Sequence, residues 1–350
     1  MNPSPGFQAP EGFYRSLPKV DLHRHLEGSL RFATVHELAR AHGLDLPHTG
    51  KLRTMVQVYD GQAYTFENFL SKFSTLRLFY RSPEIIARLT REAIQDAAAD
   101  NVRYLELRFT PVALSKVQDF SLGEVMDWVI QGARQAEAET GVMTRLIASI
   151  NRHESVALAA QVCDLAVERR ETGLVGLDLA GNETAFHAEP FARIFQHARQ
   201  NGLHITVHAG EWQHGENVGL ALDRLHAERI GHGIRILESP RSTKMARLRA
   251  TPLEVCLTSN YQSGAVPSPR QHPLRRMLDE GLNVTLNSDD PSISQISLSD
   301  EYRLAVEVLG LGLNELRQRV LAAAAAAFLP QEQQARLVQA LAEEFPLSMD

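Results

Sequence analysis

The chain has 350 residues, 44% of them hydrophobic and 22% charged, with a formal net charge of -6 at pH 7, which is the make-up of a globular protein with ample material for a core. Mild acidity without any Lys/Arg run argues against a phosphate-backbone partner, because such partners are bound by cations concentrated on one face. Cys163 and Cys256 stand far apart and form no CxxC, which excludes a disulfide framework and a thiolate metal cage and leaves two reduced, buried thiols as the expectation.

Residues 1–15 are rich in Pro and Gly and show no periodicity, so a loose tail is expected there and a single domain over 16–350. Neither the basic and apolar regions of a secretory signal nor an apolar run of about 18 residues is present, and a cytoplasmic protein with no membrane partner is expected. From Leu17 onward, short apolar segments rich in β-branched residues recur, each followed by a longer stretch with helical spacing. That alternation is the signature of βα units around a parallel sheet. Eight strands are predicted: "KVDLHRH" (19–25), "VRYLELRF" (102–109), "VMTRLIASI" (142–150), "LVGLDLAG" (174–181), "LHITVHAG" (203–210), "ERIGHG" (228–233), "LEVCLTSN" (253–260) and "LNVTLNSDD" (282–290). Their number and spacing predict an α/β fold, a (β/α)8 TIM barrel.

The stretches between them fit. "SPEIIARLTREAIQDAAADN" opens with Ser82 as N-cap and Pro83 at the first helical position, as an outer-ring helix should. The gap from 31 to 101 holds two or three helical patterns, including "FENFLSKFSTLRLFY", and is too long for one crossover. A helical lid inserted after strand 1, over the barrel mouth, is expected. After Asp300 the chain reads as further C-terminal helices.

Strands of such a barrel are buried on both faces, so polar residues inside them need a reason. Alternation puts Asp21, His23 and His25 on one face of strand 1, pointing into the barrel, with Val20 and Leu22 on the other. Histidine or carboxylate recurs at other strand ends: His208 and Glu211 in "TVHAGE", His232 in "RIGHG", Asp289 and Asp290 in "NSDDP". In barrel enzymes those ends build the active site. The residue types suit Zn2+, one ion per chain, and allow His23, His25, His208 and Asp289 as ligands with an open position for water. Magnesium would prefer oxygen ligands alone, and the H-x-E with P-C-x-x-C pattern of another zinc deaminase class is missing. His232, between Gly231 and Gly233, is placed to hold and deprotonate a water activated by the ion. Glu211, three residues past His208, is placed to protonate a substrate nitrogen if burial raises its pKa. Each residue also has a plainer reading: hydrogen-bonded core histidines, a solvated loop carboxylate, a capping turn at Asp-Asp-Pro.

The ordered set "LPKVDLHRHLEGSLR", "LDLAGNE", "ITVHAGE", "ERIGHG", "CLTSNYQSGAV" and "TLNSDDP" resembles the metal-dependent adenosine deaminases of the amidohydrolase barrel type, from about Leu17 to about Leu329. The resemblance implies zinc and hydrolytic deamination at C6 of a purine nucleoside, the small-molecule partner. It implies that His23, His25, His208 and Asp289 are the zinc ligands, that Glu211 donates a proton to ring N1, and that His232 positions the attacking water and accepts its proton. It further implies that the Gly181 N–H meets ring N3, that Asp290 pairs with ring N7 and that Glu27 contacts the ribose hydroxyl. Asp21 is expected to be an outer support for the ligands.

Glu27 stands in "HLEG" where many adenosine deaminases have "HLDG"; relatives acting on adenine or on larger 6-aminopurine nucleosides also carry Glu there. "NVRYLELRFTP" and "FENFLSKF" resemble the nucleoside enzymes instead, and adenosine is the expected substrate. Adenine, or a nucleoside with a bulkier 5′ group such as 6-aminodeoxyfutalosine, is the alternative within this chemistry. Amide or ester hydrolysis would usually need a carboxylated lysine bridging two metals, and strands 2 to 8 contain no lysine. A non-catalytic binding protein on this scaffold would have lost a catalytic group, and all are present.

Overall fold

A computed structural model describes residues 9–346 apart from 45, 46 and 48. Its eight strands lie side by side in chain order: β1 (Lys19–His25), β2 (Val102–Phe109), β3 (Met143–Asn151), β4 (Leu174–Ala180), β5 (His204–Ala209), β6 (Arg229–His232), β7 (Pro252–Val255) and β8 (Asn283–Leu286). Every neighbouring pair from β1 to β8 is parallel, and helices fill the connections, so the predicted (β/α)8 barrel is the fold. The ring closes beyond the end of β8. Asn287 Oδ1 accepts the Leu22 N–H at 2.9 Å, the Asp289 N–H donates to His23 O at 2.7 Å, and the His25 N–H donates to Asp289 O at 2.8 Å. Closure therefore brings Asp289 beside the two histidines of β1.

Local signals account for the outer helices. Ser82 Oγ accepts the Ile85 N–H at 3.2 Å and Pro83 occupies the first turn of Pro83–Ala99, which satisfies a backbone donor that helix geometry leaves free. Leu122–Thr140 starts in a capping box between Ser121 and Glu124 and stops at Gly141, whose φ of 75° an L side chain would resist. The 31–101 segment forms helices Phe32–Ala41, Thr49–Val56, Phe66–Leu76 and Pro83–Ala99. Phe69, Leu70, Phe73 and Arg77 from its middle line the cavity at the strands' C-terminal ends, where the inserted lid was expected. Of the C-terminal helices, Leu313–Ala325 packs on β8 and β1 and is a layer of the barrel itself. Among the described residues, no helix is long and apolar enough to cross a membrane.

Two expectations change. Residues 1–8 of the expected tail lie outside the described residues, but Phe13–Ser16 form a helical turn that buries Tyr14. The seventh and eighth strands are shorter than predicted, and Leu257–Gln262, within the predicted strand 253–260, begins a helix. Its N-terminal N–H groups are met from far along the chain: the buried Glu301 carboxylate accepts Leu257 N–H at 2.5 Å and Thr258 N–H at 3.0 Å. A local apolar pattern cannot register such a cap.

Candidate active site

Period-2 alternation in β1 carries His23 and His25 to the barrel interior, where β5 delivers His208 and the β8 end delivers Asp289. One ligand atom from each of these four buried residues lies within 4.8 Å of all the others. His23 Nε2 and His25 Nε2 are each 3.3 Å from Asp289 Oδ1, and His25 Nε2 is 3.3 Å from His208 Nε2. The buried His23 Nε2 has no hydrogen-bond partner, a cost a core histidine would avoid and a metal ligand would not incur. On the far side of the rings, His23 Nδ1 meets Glu254 Oε2 at 2.8 Å and His208 Nδ1 meets Asp178 Oδ1 at 3.0 Å. Carboxylates there fix each ring so that Nε2 faces the cluster, as around metal-binding histidines. Three imidazoles and one carboxylate around a point fit a divalent transition ion.

The carboxylates are themselves held. Arg108, fully buried in the barrel, donates to Glu254 at 2.8 Å and lies 3.5 Å from Asp178. Burial pushes the Glu254 carboxyl up, but Arg108 and Arg229 outweigh it and hold it well below the usual range. Gly231 permits the approach of β6: a Cβ there would stand 3.0 Å from His23 Cε1 and 3.2 Å from His208 Cα. His232 and Asp289 both adopt left-handed backbone, with φ of 60° and 59°. Such conformations cost about 1–3 kcal/mol for non-glycine residues and concentrate at functional sites.

Around this cluster opens a cavity of about 260 Å³, at the small end of ligand pockets, lined by Glu27, Gly181, Glu211, His232, Asp289 and Asp290 among others. Eight of the residues singled out from the sequence thus line one cavity, and His23 joins three of them in the ligand cluster. Glu211 is pushed well above the ordinary carboxylate range, first by burial and then by Asp289 and Glu183. Asp290 is likewise raised by burial, Asp289 and Glu27, whereas Asp289 is held well below: burial opposes, but the nearby His23, His232 and His25 prevail. The environment thus pushes the adjacent aspartates apart, favouring the charged form of Asp289 and the acid form of Asp290. Two more buried atoms without partners, Glu27 Oε2 and Asp290 Oδ1, belong to residues that line the cavity. Gly181, with φ of 93°, bends the chain after β4 so that its backbone lines the wall.

Gly28 sets Asp290. A Cβ at Gly28 would fall 1.7 Å from Asp290 Oδ1 and 2.6 Å from its Cβ, so Gly28→Ala must displace that carboxyl. The expected result is a loss of about tenfold or more in kcat/KM, on the scale of misplacing a substrate-contacting group, with metal content unchanged by elemental analysis.

Sequence reasoning missed several supports. Asp178 and Glu254 sit inside predicted buried strands and carry the same signal as His23, a polar side chain where a strand is buried on both faces. Asp21, expected to support the ligands, bonds to Arg24 at 3.0 Å and to Ser288 at 2.6 Å; it secures the backbone leading to Asp289 and touches no ligand ring. Glu183 of "LAGNE" accepts the N–H groups of Gly210, Glu211, Trp212 and Gln213 at 2.7–3.3 Å and so shapes the loop that carries Glu211.

A (β/α)8 barrel with histidines and aspartate gathered at its C-terminal mouth defines an amidohydrolase-type enzyme. A family model described as adenosine deaminase matches residues 18–344. The chain is 35% identical over 330 residues to the adenosine deaminase of Klebsiella pneumoniae, covering 94% of this chain and 98% of that one. Among solved structures, an amidohydrolase from Burkholderia ambifaria with bound Zn is similar at a TM-score of 0.89 and 27% identity, over 97% of this chain and 94% of that chain. An adenine deaminase from Arthrobacter aurescens is similar at a TM-score of 0.84 and 29% identity, over 93% and 98%. The chain belongs to the adenosine deaminase family, and it is a hydrolytic deaminase.

Proposed function

We propose that this enzyme is a cytoplasmic, single-domain protein that converts adenosine and 2′-deoxyadenosine to the corresponding inosines and ammonia in purine salvage, with one Zn2+ held by His23, His25, His208 and Asp289. The observation that carries this reading is the pairing, in one cavity, of two carboxyls raised by burial, Glu211 and Asp290, with a four-ligand cluster whose buried His23 Nε2 lacks any other partner. Zinc so held would lower the pKa of water and make hydroxide available near neutral pH.

The purine's ring nitrogens are acceptors and need donors. Glu211 in its acid form donates to N1, which draws electron density from C6. Asp290, also in its acid form, donates to N7, and the Gly181 N–H faces N3. Glu27 Oε2 accepts from a ribose hydroxyl; its other oxygen is already engaged by the Thr110 N–H at 3.1 Å. His232 orients the attacking water. As the water oxygen bonds to C6 and the C6–N bond breaks, one hydrogen of that water passes to the departing NH2 to make ammonia, and the other restores the acid form of Glu211, whose own proton stays on N1.

Adenine is the second reading, favoured by the adenine deaminase neighbour and by Glu27 in place of the commoner Asp. Ammonia release from adenosine, 2′-deoxyadenosine, adenine and 5′-substituted 6-aminopurine nucleosides separates the two. The expected order puts the two nucleosides first in kcat/KM. Adenine ahead by more than about tenfold, a discrimination of about 1.4 kcal/mol, would overturn the assignment.

A further inference from the structure

Asn260 lies within "CLTSNYQSGAV". It is fully buried on the short helix after β7, and its amide touches three ionisable side chains. Its Oδ1 lies 3.2 Å from His272 Nε2, its Nδ2 lies 3.0 Å from His232 Nδ1, and the Glu211 carboxyl lies beside the amide, which favours the charged form of that carboxyl.

His272 decides which way that amide faces. The Leu274 backbone N–H donates to His272 Nδ1 at 3.1 Å, and burial keeps the ring neutral, its pKa pushed down to about 3. A neutral imidazole carries one hydrogen. With Nδ1 accepting from a backbone donor that has no alternative form, the hydrogen sits on Nε2 and goes to Asn260 Oδ1. The NH2 end of Asn260 is thereby turned to His232 and Glu211. His232 Nδ1 then accepts, and the hydrogen of its neutral ring sits on Nε2, the nitrogen 3.5 Å from Glu211 Oε2 and 3.9 Å from Asp289 Oδ2.

We propose that Asn260 is a positioning residue for deamination, holding His232 and Glu211 at once, and that His272 imposes its orientation. The proposal rests on the roles given above to Glu211 and His232. It also refines one of them: His232 meets the attacking water with an N–H, holding its oxygen by donation, where the expectation from the sequence was that His232 accepts the water's proton. Three contacts run from the Leu274 N–H to His232, each with its donor end determined, and make the arrangement a directional chain with Glu211 beside its last amide.

The test compares Asn260→Asp, Asn260→Ala and His272→Ala with the parent enzyme for kcat and KM on adenosine, metal content and inosine binding followed by tryptophan fluorescence. Asn260→Asp keeps the side chain's shape but turns its donor end into an acceptor. It is expected to lower kcat about a hundredfold, the cost of misplacing catalytic groups by about 1 Å. KM, inosine binding and metal content are expected to stay within about threefold, since ground-state contacts remain. His272→Ala frees the amide to rotate and is expected to lower kcat about tenfold, yet to cost nothing further in the Asn260→Ala background, because it acts through Asn260. Asn260→Asp with kcat within about twofold of the parent, or losses in kcat and KM that rise together, would overturn the proposal. If Asn260→Asp does not fold, His272→Ala decides by the same criterion. A parent enzyme that deaminates no 6-aminopurine would instead refute the proposed function.

Discussion

Glu211→Gln is expected to bind metal and inosine as the parent does and to lose about three orders of magnitude in kcat, the middle of the range for general acid catalysis. Glu211 is buried, and although Asn260 and Ser263, whose Oγ is 3.4 Å away, favour its charged form, they are outweighed. Burial, Asp289 and Glu183 all favour the acid form. Gln has the same shape and still offers an N–H to ring N1, which preserves binding, but it cannot transfer a proton. The sign of the pH dependence follows: the active form is the protonated one, so turnover by the parent falls as pH rises through the raised pKa of Glu211, and the residual turnover of Glu211→Gln should lack that alkaline fall. Steady-state kinetics across pH, with metal analysis, checks both. Near-normal turnover by Glu211→Gln would remove Glu211 as the donor.

His208→Ala is expected to lose the metal and, with it, all measurable deamination. The substitution deletes one of four ligand atoms lying within 4.8 Å of one another. It also strands Asp178, a fully buried carboxylate left with Ser149 Oγ at 2.9 Å and Arg108 at 3.5 Å as partners. Removing one partner of a buried charged pair is costly, about 3–5 kcal/mol, so the variant should also unfold at lower urea concentration. Asp178→Asn is the milder control: it keeps the ring's hydrogen-bond partner and should weaken metal affinity by about 10- to 100-fold. Chelation of the parent should abolish activity, and Zn2+ should restore it. Unchanged zinc stoichiometry in His208→Ala would mean that the ligand set has been misassigned.

The depth to which the site could be read before folding varied with the kind of signal. His23 and His25 were legible because a period-2 pattern inside an apolar strand states which face each side chain takes. His208, His232 and Asp289 were legible because strand ends in a barrel share one rim. Asp178 and Glu254 carried the same local signal, but nothing nearby in the chain says that Asp178 serves His208 and Glu254 serves His23, 30 and 231 residues away. The helix at Leu257–Gln262 was misread as strand for a related reason: its cap, Glu301, lies 44 residues beyond Leu257.

The order and periodicity of residues by themselves determined the barrel, the cluster of candidate metal ligands and the family, since each depends on patterns a few residues long repeated along the chain. The tertiary structure alone decided which carboxyls are pushed toward the acid form and which toward the charged form, how Arg108 is shared between two carboxylates, and which end of Asn260 faces His232. Those are questions of burial and of distances between groups remote in sequence. Desolvation and Coulomb interactions depend on such distances, and only closure of the β8–β1 seam sets them.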